Sequence, residues 1–129
     1  MAYQIEIELP GLPRRPNQLN RRHYRAFTKE KNYWLRLVGF AVCRTRPKKP
    51  LKKATVACTR YSSVAPDYDG LVGSFKFVMD ALVACRVLSD DSMKVIGMPD
   101  FRWQHCPGKE GKIKIVVKEV LTRIQESVR

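Results

Sequence analysis

The chain has 129 residues, 44% of them hydrophobic, which suits one compact domain with a real core, spanning residues 1–129. Lys and Arg number 25 against 12 Asp and Glu, giving a formal net charge of +13. No apolar run is long enough to cross a bilayer, and the N-terminal Met1-Ala2-Tyr3-Gln4-Ile5-Glu6 has neither the basic start nor the apolar stretch of a signal peptide. A cytoplasmic protein is therefore the expectation.

Charge of this size favours a polyanionic partner, because basic side chains release condensed counterions from phosphate backbones. DNA or RNA is preferred to a membrane surface, since no strongly basic amphipathic helix is free of core duties. The four cysteines, Cys43, Cys58, Cys85 and Cys106, are scattered and form no C-x-x-C pair. They are expected as reduced thiols rather than zinc ligands, and His105-Cys106 reads as a strand end.

Tyr3 to Leu9 alternates, with Ile5, Ile7 and Leu9 on one face and Gln4, Glu6 and Glu8 on the other, as in a half-buried strand. Pro10, Gly11, Pro13 and Pro16 then force a loop that carries Arg14, Arg15, Arg21 and Arg22. A helix follows over roughly Arg22 to Arg46. Tyr24, Phe27, Lys31, Trp34, Val38, Ala41 and Val42 recur at helical spacing, and all but Lys31 suit a core stripe. Pro47 and Pro50 end it, within a basic connector from Arg44 to Lys53 that includes Lys48, Lys49, Lys52 and Lys53.

Lys53 to Tyr61 reads as a second strand and Asp69 to Cys85 as a second helix. Met93 to Met98 and Lys112 to Val120 are expected as two more strands, joined through a turn at residues 107–111. The last nine residues are expected to fray. The order β-α-β-α-β-β predicts an α+β fold, a mixed α/β sandwich with a small mixed sheet and two main helices.

The charges are unevenly placed. Residues 1–53 hold 14 Lys and Arg against Glu6, Glu8 and Glu30, whereas Asp67, Asp69, Asp80, Asp90 and Asp91 outnumber Lys76 and Arg86 over residues 62–93. Carboxylates repel phosphate unless a cation intervenes. In an extended segment Asp67 and Asp69 would point the same way, and a hard cation takes such oxygen ligands while keeping waters for chemistry. Asp69 is equally suited to capping a helix.

On one continuous helix Asp69, Gly73, Lys76 and Asp80 share a face, with Leu71, Phe75, Val78 and Leu82 opposite and core-directed. Lys76 and Asp80 also read as a surface i,i+4 pair. Ser89-Asp90-Asp91-Ser92 reads either as a simple turn or as a segment returning a third carboxylate to the first two.

Asp67-x-Asp69-Gly-Leu, Phe75-Lys76, Asp80-Ala81-Leu82 and Leu88-Ser89-Asp90-Asp91 together resemble the core motif of the RusA-type crossover-junction endodeoxyribonucleases, found in bacteria and often in phages. The resemblance is close over residues 66–96 and weaker over Leu9 to Asn17. It implies a small mixed α/β domain forming a two-fold homodimer that acts on Holliday junctions or other branched DNA. It implies Mg2+, with Mn2+ as an alternative, held by Asp67, Asp69 and Asp91 with Asp90 in support, and Lys76 assisting catalysis. No other small-molecule cofactor is expected.

Three departures stand out. Gly70 occupies a position where the family often has Asn. The span from Asp69 to Lys76 is longer than in some members. Pro13-Arg14-Arg15-Pro16 replaces the usual small-residue loop. Arg14, Arg15, Arg21, Arg22, Lys48, Lys49, Lys52 and Lys53 would grip backbone phosphates, which gives affinity without sequence readout.

Two other readings compete. Pro99-Asp100 with Glu110-Gly111-Lys112 loosely fits the PD…E-x-K pattern of restriction-like nucleases. A non-enzymatic basic nucleic-acid-binding module accounts for the charge but not for the clustered aspartates. Tyr68 and Trp103 are available for base stacking, although aromatics more often pack.

Overall fold

The computed structural model describes residues 2–13, 24–108 and 110–121. Gln4–Pro10 forms β1, whose alternating burial matches the sequence pattern, with Ile5, Ile7 and Leu9 inward. Tyr24–Val42 forms α1, and Ala54–Ser62 forms β2. Trp34, Val38 and Val42 of α1 are buried, Phe27 and Ala41 pack against the core, and Lys31 is exposed. The expected frayed tail lies outside the described residues after 121.

The second predicted helix is divided. Tyr68–Ser74 forms α2 and Lys76–Ala84 forms α3, with Phe75 between them at φ −91° and ψ 6°. Gly70, Gly73 and Ser74 are weak helix formers. The Ser74 hydroxyl donates to the Leu71 carbonyl at 2.7 Å, competing with the backbone ladder. The Phe75 N–H turns to the Val72 carbonyl at 3.2 Å, tightening the last turn of α2. Leu71, Phe75, Val78 and Leu82 are nonetheless all buried, because the bend keeps each of them on the sheet side.

Beyond α3 the chain reverses in a Schellman arrangement. The Val87 N–H reaches the Leu82 carbonyl and the Arg86 N–H reaches Val83, with Arg86 at φ 67° where glycine is usual. The reversal sets Leu88 beside Leu51 in an isolated parallel bridge. Met93–Ile96 is then the short helix α4, not a strand. A short apolar run cannot declare its periodicity. Here the Ser92 carbonyl accepts from Val95 and Ile96, and Gly97 ends the turn at φ 61° and ψ −140°, a region open to glycine. The third strand, β3, lies further on at Asp100–His105, and Lys112–Glu119 forms β4.

The sheet order is β1-β4-β2-β3, with β4 antiparallel to both neighbours and β2 parallel to β3. The fold is thus α+β, a mixed four-stranded sheet with helices on one face. Ile5, Ile7, Val56, Cys58, Ile113, Ile115 and Val117 join the helical residues in one core. Burial pushes the Cys58 thiol up to about 12, so it stays protonated and inert.

The opposite face carries Lys112 paired with Glu8 at 2.7 Å and Lys114 near Glu6 at 3.9 Å. The hydrogen bond to Lys112 holds the Glu8 carboxyl below its ordinary range. No helix among the described residues is long and apolar enough to cross a membrane.

The Phe75 ring is fully buried and stacks on Phe101 at 5.7 Å between centroids. Phe75→Ala should cost about 3–5 kcal/mol. The urea midpoint measures this, and an unchanged midpoint would show that the ring does not anchor the bend.

Candidate active site

β2 points its C-terminal end at the acidic segment. Its core-facing row runs Ala54, Val56, Cys58, Arg60, Ser62, and turns from apolar to polar at the last two. Ser62 is buried, donates to the Val64 carbonyl at 2.8 Å and accepts from Trp103 Nε1 at 3.0 Å. Arg60 Nη1 donates to the Pro13 carbonyl at 3.1 Å, which ties the first loop to this end of the sheet. Burial lowers the Arg60 pKa, and its enclosed Nε has no partner among the described residues. Arg60 and Ser62 were not singled out from the sequence. The apolar-to-polar switch along one row was the available signal.

Asp67 follows Ser62 after four intervening residues and is the N-cap of α2. It has extended backbone angles of −74° and 168°, and its Oδ1 accepts from the Gly70 N–H at 2.8 Å. The cap is therefore Asp67 rather than Asp69. Because residues 68 and 69 are already helical, the two aspartates are not placed by the alternation of an extended segment. Asp69 lies in the first turn of α2, where a negative charge meets the positive helix end favourably. Both aspartates are exposed.

Lys76 opens α3, and its Nζ meets Asp80 Oδ1 at 3.1 Å. Lys76 is more than half exposed and Asp80 about a third, so such a pair contributes at most about 1 kcal/mol. The break at Phe75 puts Asp69 and Lys76 on successive helices, both exposed, with Gly73 and Asp80 half-buried.

Asp90 is exposed and Asp91 half-buried, just before α4. Their segment leaves Leu88, which bridges Leu51 near the start of β2, while Asp67 follows its end. The nine residues of β2 span roughly 27 Å. Asp91 does not join Asp67 and Asp69 in a three-carboxylate set. Among the described residues no three His, Cys, Asp or Glu side chains gather to hold a metal ion. What is gathered is the pair Asp67 and Asp69 in one turn.

Lys48, Lys49, Lys52 and Lys53 are all exposed. Lys49, Lys52 and Lys53 border a shallow groove of about 310 Å3 with Leu51 and Glu119, at the far end of β2 from Asp67. Arg14, Arg15, Arg21 and Arg22 lie outside the described residues.

The PD…E-x-K residues are spread out. Asp100 sits opposite Ala57 and Lys112 opposite Tyr61, on different sides of β2. Four rows along the strand amount to about 13 Å before the lateral separation is added. Asp100 is engaged by Arg102, and Lys112 by Glu8.

No protein-family model matches the chain, and no curated protein matches it.

Since Asp67 caps α2 through one carboxylate oxygen, Asp67→Ala should destabilise the fold by about 1 kcal/mol and Asp67→Asn by much less. Equal urea midpoints for the two variants would show that the cap contributes nothing.

Proposed function

We propose that the chain is a divalent-cation-dependent endonuclease of the RusA type that hydrolyses phosphodiesters in branched DNA, four-way junctions included. One observation carries this reading. On a chain with net charge +13, Asp67, Asp69, Asp90 and Asp91 have no basic partner among the described residues. Unneutralised carboxylates on a phosphate-binding surface oppose binding unless a cation completes them.

Mg2+ commonly takes one or two protein carboxylates and fills its remaining positions with water and phosphate oxygens. Asp67 and Asp69 meet that minimum, with Asp67 offering the oxygen not used in the cap. A cation held there would act as a Lewis acid toward the scissile phosphate and a source of activated water.

The chain's own groups do the rest. Lys76 has three donors, of which Asp80 uses one, so the ammonium is positioned yet still able to meet a phosphate oxygen. The exposed lysines of residues 48–53 add sequence-independent grip. A two-fold pair of chains would set two such sites symmetrically on a junction.

The second reading, a basic nucleic-acid-binding module without catalysis, draws on there being no group of three carboxylate, His or Cys side chains among the described residues.

Asp69→Asn separates the two readings, because Asp69 takes no part in the cap. With a synthetic four-way junction and Mg2+ or Mn2+, cleavage should fall at least about 100-fold while binding is kept or tightened. Binding without cleavage by the unaltered protein in either metal would establish the module reading instead.

A further inference from the structure

We propose that Trp103 and His105, flanked by Arg60, form a stacking subsite for an unpaired nucleobase of DNA at the C-terminal ends of β2 and β3. This rests on the DNA partner proposed above but not on hydrolysis.

Among the described residues β3 is an edge strand, paired with β2 alone. Its helix-facing row runs Phe101, Trp103, His105, in register with Cys58, Arg60 and Ser62. Phe101 packs against the core. Trp103, one step along the same row, is 37% exposed, and His105 is exposed. A row that begins in the core therefore ends in solvent, with the indole partly uncovered and the imidazole exposed.

Trp103 is also fixed. Its Nε1 donates to Ser62 Oγ at 3.0 Å, and that hydroxyl donates onward to the Val64 carbonyl at 2.8 Å. An indole locked by its edge loses little further freedom when something stacks on its face. The imidazole of His105 stands 6.2 Å away at 75° to the indole, so the two rings make a corner with one flat wall and one upright wall. A flat heteroaromatic fits such a corner.

Arg60, the cross-strand neighbour of Trp103, supplies positive charge, and its enclosed Nε lacks an acceptor among the described residues. The net charge of +13 makes a polyanion the occupant that suits this corner. Stacking on an aromatic face serves every base, which suits a protein without sequence readout.

Trp34 shows the contrast. It is 1% exposed and donates to Glu30 inside α1, so it is a packing residue. Because the other indole is buried, quenching by an added oligonucleotide reports on Trp103.

The test uses the full chain in metal-free buffer with EDTA, titrated with a short thymidylate oligonucleotide or the same backbone made abasic. Affinity is read by anisotropy of a labelled strand and stacking by tryptophan quenching. The thymidylate should quench and bind about tenfold more tightly than the abasic strand. Trp103→Ala should erase that difference. Trp103→Phe should keep most of it, and matching thermal melts of the variants show that folding is intact. Equal affinity for the two strands, or a Trp103→Ala variant that still discriminates between them, overturns the subsite and leaves the DNA reading standing. Failure to bind either strand overturns the subsite, and failure to bind a four-way junction in Mg2+ as well overturns both.

Discussion

The stacking of Phe75 on Phe101 is the contact on which the arrangement of the polar end depends. Phe75 occupies the joint between α2 and α3, and Phe101 belongs to the edge strand β3. Their contact fastens a short, glycine-containing helix to one of the two edge strands of the sheet. α2 alone is seven residues long, too short to be stable by itself. With its C-terminal end pinned, its N-terminal turn is carried out past the end of β2, and Asp67 and Asp69 go with it. The local helix and the distant strand are therefore joined next to the turn that carries Asp67 and Asp69.

Much of this architecture was legible in the sequence. The alternation of Ile5, Ile7 and Leu9 and the helical recurrence of Trp34, Val38 and Val42 report burial directly, because each depends only on local periodicity. The inward set Leu71, Phe75, Val78 and Leu82 was legible for the same reason, even though the helix carrying it is broken. The break itself depends on how Ser74 divides its hydrogen bonding, which periodicity does not express. α4 and β3 were misread because Met93 to Met98 is apolar but short, while β3 is exposed at most positions and lacks a burial pattern.

The candidate site was legible in parts. Asp67, Asp69 and Lys76 stand out by residue type and spacing. Which aspartate caps α2 is decided by where the helix begins, at Tyr68 rather than at Asp69. Whether Asp91 returns to the pair is a question of tertiary path. The path here goes through the Leu51 to Leu88 bridge, at the other end of β2. The role of Ser62 in holding Trp103 was invisible, since it arises from the parallel register of β2 and β3.

The pairing of β1 with β4 has a consequence for how the chain acquires its shape. The Tyr3 N–H donates to Glu119 Oε1 across 116 residues, and each rung of that ladder joins the two extremities of the fold. Among the described elements β1 comes first in chain order, yet its hydrogen-bonding neighbour β4 comes last. Its apolar row must wait, unsheltered by that neighbour, until every element from α1 to β4 has followed it. Closing so long a loop is entropically costly and makes folding slow for a domain of this size. The interval before closure is when a nascent chain has most need of a chaperone's shelter.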